Sequence, residues 1–150
     1  MNEAIKIDVA AVLAANTALY DAFETGDIDL MGAVWLDDDT VQVTCVHPGW
    51  PPVHGRGPVL RSWSVIMANT AYIQFVLTDV DVRLAGDVAV VTCGENILTG
   101  LPDAEDGDGE EAVGFAGGHA VATNVFRRTP AGWRLWVHHA SPVLGDGEPS

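Results

Sequence analysis

The sequence predicts an α+β domain, with its helices gathered in the first half and a strongly curved antiparallel sheet in the second. Three observations lead there. Apolar residues recur in threes and fours through residues 9–23, the period of a helix with one buried face. Alternating runs in the second half come in two pairs, each joined by a short turn, which is the pattern of hairpins. Strands and helices do not take turns along the chain, as a parallel sheet would require. A chain of 150 residues makes a single domain, residues 1–150, and buries roughly 70% of the surface it exposes when unfolded.

The first helix carries Val9, Val12, Leu13, Leu19, Tyr20 and Phe23 on its stripe. It ends at "TGD", where Gly26 suits the left-handed residue after a helix and Asp27 can cap the next one. A shorter second helix buries Leu30, Met31, Val34 and Trp35, and the "DDD" that follows at 37–39 reads as a solvated turn. In "TVQVTCVH" the pleat puts Val41, Val43, Cys45 and His47 on one face. Pro48, Pro51 and Pro52 stiffen the loop after it. "PVLRSWSVIMANT" reads as a third helix with Pro58 in its first turn and Val59, Leu60, Trp63, Ile66 and Met67 facing inward, like a lid. "YIQFVLTDVDVRL" and "VAVVTCGENILTG" form a hairpin across "AGD"; "GFAGGHAVATNVFRR" and "WRLWVHHAS" form another across "TPAG". Between the hairpins, residues 103–114 read as a mobile acidic loop, and residues 144–150 as a frayed tail.

Composition narrows the partners. The formal net charge is −14, from 21 acidic residues against 7 basic ones, and such a field repels phosphate backbones and anionic lipid. Neither nucleic acid nor a membrane is expected as a partner. No run approaches the ~20 apolar residues of a membrane span, no signal peptide is read at the start, and Cys45 and Cys93 are too few for a secreted disulfide framework. A cytoplasmic protein with reduced thiols is the expectation. No glycine-rich phosphate loop, dinucleotide fingerprint or nucleophile elbow occurs, so no cofactor is expected. The five histidines lack the spacing of a metal site.

The leading candidate for chemistry is His47, at the end of a strand on its apolar side and beside a rigid loop that can aim its ring into a cavity. The same pattern also fits a histidine bonded to backbone in a turn, and His54, beyond the prolines, reads the same way. Trp50 and Trp63 can wall an apolar pocket or simply fill the core. Asn124 shares a face with Ala120, Ala122 and Phe126, where a buried amide needs a partner: a structural bond or a ligand. By the pleat, His138 shares its face with Trp136 and Ala140, whereas His139 goes with Trp133, Leu135 and Val137. Glu95, between Cys93 and Ile97 on its face, is either a carboxylate with a raised pKa or an edge residue.

The stretches "ALYDAFETGDIDLMGAVWLDDDTVQV", "HPGWPPVHGRGPVLRSW", "ATNVFRR" and "GWRLWVHHASP" together resemble the SnoaL-like members of the nuclear transport factor 2 (NTF2-like) superfamily, which also holds the ketosteroid isomerases and a calmodulin-dependent kinase association domain. The resemblance implies a cystatin-like cone: a curved antiparallel sheet wrapped around three N-terminal helices, enclosing a deep pocket for a hydrophobic small molecule, and dimerised through the outer sheet face. Carried over from the ketosteroid isomerases, the general base falls on His47, the second oxyanion donor on Asn124, and the oxyanion tyrosine on Leu19, with Tyr20 one position away. Pocket-facing positions of the last strand correspond to Trp136, His138 and Ala140. The implied catalytic set is His47, Asn124 and His138, and the implied pocket Tyr20, Trp35, Trp50, His54, Trp63, Met67 and Trp136. The implied activity is a cofactor-free isomerase, cyclase or dehydratase acting on a hydrophobic carbonyl compound; a ligand-binding or dimerisation module is the alternative.

Overall fold

The computed structural model describes residues 2–100 and 115–144. The expected acidic loop at 103–114 lies outside them, as do residues 145–150 of the expected tail.

Three helices come first: α1 (Glu3–Thr25), α2 (Ile28–Val34) and, after two short strands, α3 (Arg56–Ala68). α1 starts earlier than its apolar period suggests because the Asn2 side chain caps it, accepting from the Ala4 N–H at 2.6 Å. It ends at Gly26, whose φ of 66° turns the chain left-handed. Asp27 then accepts from the N–H groups of Asp29 and Leu30, as a cap should, and starts α2. Met31 and Val34 are buried on α2, while Leu30 stays half exposed. Arg56 of α3 ties the end of α2 down, donating to the carbonyls of Gly32 and Trp35 at 2.9 Å each.

Six strands, β1 (Thr44–Val46), β2 (Val53–His54), β3 (Ile73–Ala85), β4 (Val88–Gly100), β5 (Phe115–Thr129) and β6 (Gly132–Pro142), form one curved sheet in the order β2-β1-β6-β5-β4-β3. Both expected hairpins are present. Two features differ from the sequence reading. The "TVQVTCVH" stretch forms a strand only over Thr44–Val46, which pairs in parallel with β6 rather than with a sequence neighbour. The proline-rich loop also contains the short strand β2, which folds back on β1. The alternation nevertheless holds, with Val43, Cys45 and His47 buried together.

A third difference moves a whole face. Val125 pairs with Val137 but Phe126 pairs with Leu135, so Trp136 is an extra residue, a β-bulge. A bulge shifts the inward–outward phase by one. Trp133 and Leu135 are therefore buried on the same side as His138 and Ala140, and His139 is exposed. Simple alternation grouped His138 with Trp136; the bulge separates them, leaving Trp136 half-buried beneath the Arg127 guanidinium, 4.9 Å from its ring centre.

Candidate active site

A cavity of about 280 Å³ opens between α1, α3 and the inner sheet face. α1 contributes Tyr20 and Phe23; the β1–β2 loop His47, Pro48 and Trp50; α3 Trp63 and Ile66; β3 Ile73 and Phe75; β4 Glu95 and Ile97; and β6 His138. The "HPGW" corner is both turn and site. The Trp50 N–H donates to the His47 carbonyl at 2.9 Å across Pro48 and Gly49, whose φ is 82°, the residue pattern of a type II turn. That turn fixes His47 against Trp50 and Trp63, with ring centres 4.9 and 4.7 Å away.

The hydrogen bonds assign protons. Ser62 donates its single hydroxyl hydrogen to the Val59 carbonyl at 2.7 Å, so its 2.8 Å bond to His47 Nε2 must be received from the ring. His47 thus carries its proton on Nε2 and keeps a lone pair on Nδ1, with the Cys45 sulfur 3.9 Å from it. Burial holds its pKa down at about 4, so the ring is neutral at physiological pH.

A second network runs behind the opposite wall. Asn124, fully buried, donates one amide hydrogen to Asn16 Oδ1 at 2.8 Å and the other to the Tyr20 hydroxyl at 3.2 Å. Tyr20 passes its own hydrogen to Glu95 Oε2 at 2.6 Å. The remaining Asn124 oxygen accepts from His138 Nδ1 at 2.5 Å, which leaves His138 Nε2 without a hydrogen bond among the described residues. Burial, reinforced by the charges of His47 and His139, lowers the His138 pKa to about 3. Desolvation raises the Glu95 pKa while the Tyr20 bond opposes it; burial and the Glu95 charge push the Tyr20 phenol far up.

Of the residues expected from sequence, Tyr20, His47, Trp50, Trp63 and His138 line this cavity. Asn124 sits behind the wall with both amide hydrogens committed, because its neighbours Asn16 and Tyr20 come from the facing helix. Trp35 is buried at the far end, where Leu36 bonds Leu135. His54 stands exposed on β2, bonded to Thr44 Oγ1 at 2.9 Å, and Met67 packs against the core edge. Trp136 is displaced by the bulge. A wider depression of about 750 Å³ lies beside Trp35, but its Arg56 is already committed to backbone carbonyls.

Asn16, Ser62, Phe23 and Phe75 were not singled out from sequence, and Glu95 was left open. A signal existed for two of them: Asn16 interrupts the apolar stripe of α1 one turn before Tyr20, and Ser62 lies one turn after Val59 on the buried side of α3.

Comparison with known proteins decides the family: the SnoaL-like domain profile matches residues 12–145. The chain belongs to the SnoaL-like domain family. A solved structure from Streptomyces avermitilis, named provisionally as a dehydratase of the NTF2-like family, is 54% identical, with a TM-score of 0.86 over 93% of this chain and 99% of that one. A Thiobacillus denitrificans structure, named provisionally as a calcium/calmodulin-dependent protein kinase type II association domain, is 35% identical with a TM-score of 0.69, covering 87% of this chain and 93% of that one. The F-box protein SKIP8 of Arabidopsis thaliana is 24% identical over 92% of this chain, which spans only 52% of that curated relative's length. The fold is the NTF2-like, cystatin-like one. In this SnoaL-like domain the helices close one side of the sheet and leave the cavity between them; no described helix is long and apolar enough to cross a membrane.

Proposed function

We propose that the protein is an acid–base enzyme, an isomerase, cyclase or dehydratase, that moves a proton on a small hydrophobic carbonyl compound held in the cavity. One observation carries this reading: two neutral histidines and a buried carboxylate line one apolar cavity, each histidine with one nitrogen bonded to an oxygen of the protein and the other without an oxygen or nitrogen partner among the described residues. His47 Nδ1 takes the proton next to the carbonyl, and the electron pair passes into the enolate. The imidazolium so formed returns that proton to another carbon in an isomerisation, or to a departing hydroxyl in a dehydration, and the ring ends neutral. A depressed pKa keeps the base unprotonated before the step and makes its conjugate acid a strong donor after it.

Two roles differ from those implied by resemblance. Asn124 orients His138 and Tyr20 rather than meeting the oxyanion, since its hydrogens are already given away. His138 offers an acceptor, Nε2, and so serves as a second base or a hydroxyl anchor. Trp50, Trp63, Phe23 and Phe75 hold the apolar body of the substrate. The name of the Streptomyces avermitilis relative supports a dehydratase within this class. Exposed Val76, Leu98 and Val121 on the outer sheet face fit a homodimer formed there, and two free, buried cysteines fit the cytoplasm.

The test is deuterium exchange at carbons next to the carbonyl, followed by NMR across a panel of aromatic ketones in heavy water. Wild type should accelerate exchange in at least one compound, and His47→Ala should slow it by a factor of ~10² to 10⁴. Unchanged exchange in His47→Ala would sink the role given to His47. Compounds that raise the melting temperature without any exchange would make the protein a binding module.

A further inference from the structure

The hydrogens of the cavity's polar wall all point back into the protein. His47 gives its Nε2 hydrogen to Ser62, His138 gives its Nδ1 hydrogen to Asn124, and Tyr20 gives its hydroxyl hydrogen to Glu95. Of the two indoles, the Trp63 N–H is buried beside the Cys45 sulfur with no oxygen or nitrogen partner among the described residues, and Trp50 stands at the mouth, 40% exposed. What remains, among the described residues, is a set of lone pairs that receive no hydrogen from oxygen or nitrogen: His47 Nδ1, which has only the Cys45 sulfur 3.9 Å away, His138 Nε2 and the second carboxylate oxygen of Glu95. Water in the cavity can satisfy these acceptors, so a ligand that displaces it must supply donors in its place or leave them unpaired at a cost.

We infer that the ligand of this cavity is a hydrogen-bond donor, a neutral compound of one or two rings carrying at least two hydroxyl hydrogens, and not a carbonyl-only compound or a carboxylic acid. An acid would bring a negative charge into an apolar cavity beside the Glu95 carboxyl, inside a protein already at −14. The volume of about 280 Å³ lies at the small end of ligand cavities, which run from roughly 300 to 1,000 Å³, and favours one or two rings over a steroid skeleton. The inference rests on this cavity being the functional site, and it narrows the proposed substrate to a hydroxylated member of the carbonyl class.

The test compares three probes that differ in hydrogen-bond donors: a naphthalenediol, its dimethyl ether and the corresponding naphthoquinone. Each is titrated calorimetrically into the wild-type protein at about pH 8. The diol should bind at least ~10-fold tighter than either acceptor-only probe. Glu95→Gln, which turns one acceptor into a donor, should shrink that ratio. An ether or quinone that binds as tightly as the diol overturns the inference and leaves the proton-exchange reading intact. If none of the three binds while ketone exchange proceeds, the donor rule alone is overturned; if exchange is absent as well, the proposed function falls with it.

Discussion

The inner face of the sheet divides into two unlike halves. Toward α2 the interior is apolar and closed: Met31, Trp35, Val91, Phe126 and Leu135 pack with almost no exposure. Toward α3 and the "HPGW" turn lie all the buried polar residues of the described chain, namely Asn16, His47, Ser62, Glu95, Asn124 and His138. Each is a member of one of the two hydrogen-bond networks around the cavity. The same strands serve both halves, so the sheet itself does not set the difference; the side chains and the Trp136 bulge do. One half stabilises the fold, and the other spends stability to keep polar groups dry and poised, as functional sites commonly do.

Substitutions should separate the halves. The largest effect is expected in the closed half: Phe126→Ala removes a fully buried ring and should cost ~3–5 kcal/mol in urea unfolding, while a variant that remains folded keeps its ligand affinity. Asn124→Leu comes next. It strips partners from His138, Asn16 and Tyr20 together and should cost ~2–3 kcal/mol. It should also lower proton exchange and change the ¹⁵N shifts of His138, whose tautomer it no longer fixes. Unchanged shifts would mean that Asn124 does not orient the ring.

The smallest and most diagnostic effect is in pH dependence. His47 and His138 have pKa values held below the ordinary 6.5, at about 4 and about 3. The stability tied to their neutral forms is complete above that ordinary value and is lost as pH falls through the depressed ones. Glu95 is raised above its ordinary 4.5, so its contribution has the opposite sign, full in acid and lost as pH rises. Glu95→Gln should therefore melt higher than wild type near neutral pH, with the gap closing toward about pH 4. A variant less stable than wild type at every pH would show that the carboxylate is not a burden on the fold.

Much of this was legible in the sequence because it is local. Periodicity located the helices, the turn residues located both hairpins, and alternation put His47 and Asn124 on buried faces. What was hidden is non-local or out of phase. The Trp136 bulge has no residue signature, yet it decides which histidine of "VHHAS" faces inward with Trp133 and Leu135. Alternation gave Glu95 a face but could not show that Tyr20 of a distant helix stands opposite it. Asn124 was read correctly as a buried amide needing a partner; that its partners are Asn16 and Tyr20 depends on how helix and sheet meet.

The parallel pairing of β1 with β6 has a consequence for the order of folding. Asn16 of α1 meets Asn124 of β5 across 108 positions of chain, and Cys45 of β1 aligns with His138 of β6 across the parallel seam. Hairpins β3–β4 and β5–β6 close short loops and can form early, whereas this seam must wait for distant segments to find each other. During synthesis the helices and the first hairpin can assemble long before β6 has emerged. The cavity is complete only when the last strand docks between β5 and β1.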